Sequence, residues 1–126
     1  MLGKSIYASL HLLSALLATG RLDEARACAI ETWHACRAMN LPLAVDPTAM
    51  LVAMSGRLRT AARLAGYARA RNAHIVMTDV TIDYLAKVDA LVRASLAESD
   101  IAALTTQGAH WSDEEAFRAA FESSEA

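Results

Sequence analysis

The sequence predicts an all-α fold of about seven helices arranged as an array of helical hairpins. Three observations carry that expectation. The chain is 55% hydrophobic and 21% charged, with two prolines and five glycines in 126 residues. That balance suits a packed core, and the abundance of alanine favours helix because alanine loses no side-chain entropy there. A strand-like run occurs only at Ile75-Val76-Met77, where a sheet would need many. Finally, Gly-Arg-Leu at 20–22 returns at 56–58, and Ala25 is answered by Ala61 in the same register.

The first helix is expected over about 5–19. Ile6, Leu10, Leu13 and Leu17 follow helical spacing, and Leu12 and Leu16 add a second apolar flank. A helix greasy on two sides is one sandwiched between neighbours. Gly20 then permits the left-handed backbone that ends it. Asp23 and Glu24 open the second helix at its positive dipole end. Its inward stripe is Ala25, Cys28, Ala29, Thr32, Trp33 and Cys36, and Asn40-Leu41-Pro42 closes it.

Asp46-Pro47 reads as an N-cap followed by proline at the first helical position. The short helix that follows has almost no polar side and must be buried. Gly56 interrupts it. An arginine-rich helix takes over with Leu58, Ala61, Ala62, Ala65 and Ala68 as its apolar stripe, small residues that let helices approach closely. Residues 73–78 form a connector, and Thr78 or Asp79 caps a long helix with the stripe Leu85, Val88, Leu91, Val92 and Ser95. A further helix is expected over 97–107, stopped by Gly108. Ser112 with Glu115 is a capping box that launches a last helix bearing Phe117 and Phe121 on one face.

The 36-residue return of the Gly-Arg-Leu corner lies near the helix–turn–helix period of tetratricopeptide arrays, about 34 residues. The expectation is therefore one tetratricopeptide-like, right-handed domain over 1–126. It holds hairpins at 5–40 and 46–72 and a C-terminal helical cap at 79–124.

Charge is segregated along the chain. Residues 1–46 are balanced, 47–78 carry five arginines and no acid, and 79–126 carry three basic and ten acidic groups. Basic middle and acidic end can complement each other within the fold or between molecules, or can stand as solvated faces. Cys28 and Cys36 are about 12 Å apart along one helix, too far for a mutual disulfide. With no cysteine framework, a reducing cytoplasmic location is expected. The apolar stretch 6–18 contains His11 and two serines, lacks a clean signal-cleavage site and is too short to span a bilayer.

From Gly56 onward the motifs become more specific. Ala62-Arg63-Leu64-Ala65-Gly66-Tyr67-Ala68 has the form A-R-L-x-G-x-A, and residues 108–116 have the form G-x-x-[LW]-S-x-E-E-A. Together with the intervening long helix they resemble the C-terminal tetratricopeptide-like tail of bacterial predicted-ATPase transcriptional regulators of winged-helix or LuxR type. The resemblance covers roughly residues 7–122 and rests on structural rather than catalytic marks. It implies a tail that senses or binds partners and influences the ATPase. The phosphate loop and the DNA-binding domain of such regulators have no counterpart in these residues, so nucleotide and DNA activities do not carry over.

The chemistry points the same way. The five glycines are scattered and the lysines are only Lys4 and Lys87, so no phosphate cradle is formed. Cys28, Cys36, His11 and His34 match no zinc spacing. His110 with Asp113 is the one tidy local acid–base pair, and Asp113 already serves a helix start. No catalytic, cofactor or metal residue is assigned, and the chain is read as a non-enzyme. The expected function is a protein-interaction or sensor module of a signalling or transcription-regulator ATPase. Its partners would be proteins, upstream domains of the parent regulator, or a second copy joined as a homodimer through the apolar first helix. Arg59, Arg63 and Arg69 are candidates for a basic strip facing an acidic partner. Tyr67 is an aromatic contact candidate, as is Trp33, although both suit a core. The alternative is a small helical DNA-binding domain using the arginine-rich helix 57–71, against which the acidic last third stands.

Overall fold

The computed structural model describes residues 6–40, 45–71 and 79–122, and among them every regular element is a helix. The seven are α1 (Ile6–Ala18), α2 (Leu22–Ala38), α3 (Val45–Met54), α4 (Leu58–Arg71), α5 (Asp79–Arg93), α6 (Glu98–Ala109) and α7 (Asp113–Phe121). Ser5, Leu41, Pro42, Thr78 and the expected connector 73–78 lie outside the described residues.

The repeated phrase makes the same corner twice. Gly20 and Gly56 both take positive φ, +72° and +84°, a region closed to most side chains. At the first corner the Gly20 amide donates to the Leu17 carbonyl (3.2 Å) and the Arg21 amide to Leu16 (3.0 Å). At the second, Gly56 donates to Ala53 (3.0 Å) and Arg57 to Val52 (3.1 Å). This is the Schellman arrangement, which satisfies carbonyls that a helix end leaves orphaned. The residue before each glycine also bonds back: Thr19 to Ala15 at 2.9 Å and Ser55 to Leu51 at 2.8 Å. Ala25 and Ala61 then donate to the Arg21 and Arg57 carbonyls, both at 2.9 Å, and both side chains are fully buried.

Two hairpins follow, α1–α2 and α3–α4. The second is packed more deeply than the first. Helix α3 contacts α1, α2, α4, α5 and α7, and most of its residues from Val45 to Ala53 are buried. The buried set of α2 is the expected stripe of Ala25, Cys28, Ala29, Thr32, Trp33 and Cys36. For α4 the expected single stripe is too narrow. Thr60, Leu64, Gly66 and Tyr67 are buried along with the alanines, because α3, α5, α6 and α7 all pack against it.

The most extensive helix pairing is α4 with α6, not α5 with α6, so the cap is not a third hairpin of the same kind. Two glycines explain the pairing. A Cβ on Gly66 would lie 2.8 Å from the Thr105 carbonyl carbon, and one on Gly108 would lie 2.7 Å from the Arg63 Cα. Both helices therefore meet backbone to backbone, each through its own glycine. Gly108 is consequently not the stop expected for the sixth helix. It lies inside α6, which runs to Ala109 with His110 as C-cap. Helix α3 likewise starts earlier than expected. Val45 opens it, so buried Asp46 and Pro47 sit in its first turn rather than at its cap, a position proline tolerates because the amides there have no helical partner.

Substitution separates the two kinds of glycine. Gly66→Ala and Gly108→Ala each force a methyl into opposing backbone, and each should cost about 3 kcal/mol, lowering the thermal midpoint by about 10 °C. Gly20→Ala meets no neighbour within 4 Å and should cost only about 1 kcal/mol, from the positive φ alone. Calorimetric midpoints that ranked Gly20→Ala as the most damaging would contradict the backbone-contact reading.

Candidate interaction surface

The three arginines of the candidate strip meet different surroundings. Arg59 is exposed. Half-buried Arg63 donates from Nε to Gln107 Oε1 on α6 at 2.9 Å. Arg69 pairs with Asp89 on α5 at 2.6 Å. Tyr67 is buried, stacks on Trp33 with ring centroids 6.3 Å apart, and donates its hydroxyl proton to Asp113. Trp33, the other aromatic candidate, is equally buried.

The segregated charges meet within the fold. Arg71 also reaches Asp113, at 3.3 Å. Arg57 donates to the Ala119 and Ala120 carbonyls at 2.5 and 2.8 Å, and Arg26 of α2 donates to the Phe121 carbonyl at 2.5 Å. These are the last carbonyls of α7, where cations suit the negative dipole end. Exposed pairs such as Arg69–Asp89 contribute roughly 0.2–1 kcal/mol each, so they orient helices more than they stabilise them.

Helix α7 is held at three points. Its start carries the capping box: the Glu115 amide donates to Ser112 Oγ at 3.1 Å and the Ser112 amide to Glu115 Oε1 at 3.0 Å. Those Ser112 hydrogen bonds hold the Glu115 carboxyl below the usual range. Its inner face lays Phe117 and Phe121 edge-on to Trp33, at 5.9 and 6.0 Å, a geometry that adds to simple burial. Its end is gripped by Arg26 and Arg57. Sequence reasoning placed the two phenylalanines on one face but missed both arginine caps. A signal for Arg57 exists: Arg21 finds Glu24 three residues on, whereas the equivalent position after Arg57 is Thr60, so Arg57 has no local acid.

His110 and Asp113 are not brought together as a pair. His110 Nδ1 contacts the Thr106 carbonyl at 2.8 Å, and Asp113 is engaged by Tyr67 and Arg71. Cys28 and Cys36 are both buried. Among the described residues no group of three or more His, Cys, Asp or Glu side chains is placed to hold a metal ion. No helix there is long and apolar enough to cross a membrane. Comparison with known proteins returned no matching family model, no similar curated protein and no similar solved structure.

Tyr67 supplies a pH test. Burial first, and then the hydrogen bond to Asp113, push its hydroxyl well above the ordinary value of 10.0. The unfolded chain therefore ionises before the folded one, so this contribution is complete below about pH 10 and is lost as pH rises further. Urea unfolding at about pH 8 and about pH 11 should show a stability loss that Tyr67→Phe reduces. Equal losses in the two chains would mean that Tyr67 ionises as freely folded as unfolded.

Proposed function

We propose that the chain is a non-catalytic helical-repeat interaction or sensor module of a cytoplasmic signalling or transcription-regulator ATPase, contacting protein partners, its parent's upstream domains, or a second copy of itself. The outer face of α1 carries this reading. Helix α1 has no charged residue, and Ala8, His11, Leu12, Ala15 and Ala18 along one side of it are exposed. Leu12 is 44% exposed.

The repeat register supports this reading. Adding 36 positions carries His11, Leu12 and Ala15 to Pro47, Thr48 and Leu51, all three of which are buried in α3. The second hairpin thus covers with neighbouring helices the positions that the first leaves open. A helical array is extended or capped through such an edge, and alanines flanking one leucine allow a close helix approach. The arginine-rich helix offers less to a DNA-binding reading: Arg57, Arg63, Arg69 and Arg71 already engage α5, α6 and α7.

Self-contact is measurable directly. One helix face is small beside a standard interface, so a dimer should be reversible, with a dissociation constant of about 10–100 µM. Sedimentation across that range should show the dimer in the wild-type chain and a monomer in Leu12→Glu. A wild-type chain that stays monomeric, or a Leu12→Glu dimer of equal strength, would remove α1 as the contact.

A further inference from the structure

We propose that the groove between α2 and α4 is a helix-binding site, occupied in cis by α7, that accepts a partner's short amphipathic helix in its place. The ligand class can be read from the resident. It opens on an acid, Asp113, for Tyr67 and Arg71. It carries aromatic residues four and eight positions later, Phe117 and Phe121, for Trp33. It ends with free carbonyls for Arg26 and Arg57.

Two observations mark α7 as a replaceable occupant. It is nine residues long and buries only Ala116, Ala120 and Phe121, with Phe117 half-buried. A helix this short owes its stability to what it packs on. It is also an incomplete ligand. Trp33, 2% exposed and ringed by Tyr67, Phe117 and Phe121, leaves its indole Nε1–H without a hydrogen-bond partner among the described residues. A buried donor without an acceptor is costly. A partner helix that presents one acceptor to the indole makes every contact α7 makes and one more.

The arginine grip gives the exchange a consequence. Arg26 belongs to the first hairpin and Arg57 to the corner of the second, so whichever helix fills the groove ties the two hairpins together. This site is separate from the α1 face, and its failure leaves the self-contact measurement untouched.

The test uses the full chain with Phe117→Ala/Phe121→Ala, which loosens the resident, and a fluorescent peptide of the sequence at 111–122. Anisotropy should show binding at least about tenfold tighter than to the wild-type chain, where α7 competes. Arg57→Ala on the loosened background should weaken it by about tenfold, and the Trp33 indole N–H resonance should shift on peptide addition. No binding to a loosened chain that keeps its helical circular dichroism overturns the proposal, as does equal binding of a peptide lacking both phenylalanines. Should the double substitution unfold the chain, hydrogen exchange on the wild type decides. Amides of α7 exchanging faster than those of α4 support a resident that leaves. Equal rates show that it leaves only on global unfolding and overturn the proposal.

Discussion

The fold depends on the crossing of α4 and α6 through Gly66 and Gly108. Helices that pack through side chains sit about 8–10 Å apart. Here each helix presents a glycine to the other's backbone, at Thr105 and Arg63, and the axes can approach more closely than side chains would allow. That approach encloses α4, whose alanines at 61, 62, 65 and 68 are all buried. It also draws α6 away from α5, so the C-terminal helices wrap the second hairpin instead of adding a third. With α6 fixed on one side of α4, the short joint from His110 to Ser112 delivers α7 onto α2 and α4.

Polar groups then hold what packing has placed. The arginines concentrated between 57 and 71 are spread around α4, so they reach three different helices rather than one surface. Arg63 meets α6, Arg69 meets α5, and Arg57 and Arg71 take the two ends of α7. Two ion pairs, Arg69–Asp89 and Arg71–Asp113, join the basic middle to the acidic end within the molecule. The exposed side of α1, with Leu12 on it, is outward and carries no lysine, arginine or acid.

Local rules were enough to read several of these elements from the sequence. The corners at Gly20 and Gly56, the six-residue stripe of α2 and the capping box at Ser112 each depend on residues within a turn or two of one another. The sequence did not disclose the burial of α4 around most of its circumference, because arginines mask a helix whose remaining residues are small. Gly108 looked like a terminator for a related reason: glycine ends helices and also permits contact between them, and only the presence of α4 opposite distinguishes the two. The α7 caps were hidden because Arg57 and its acceptors lie more than 60 positions apart. The aromatic cluster was half visible, with Phe117 and Phe121 assigned to one face and Trp33 to the α2 stripe, but their meeting is a property of the tertiary fold.

Helices α4 and α6 touch backbone to backbone at two glycines. Nuclear Overhauser spectroscopy on the labelled chain reads that apposition. Strong cross-peaks are expected from the Gly66 Hα protons to Thr105 and from the Gly108 Hα protons to Arg63, contacts that only glycines in direct apposition can make. Absence of both, with side-chain contacts filling the space between the helices, would contradict it.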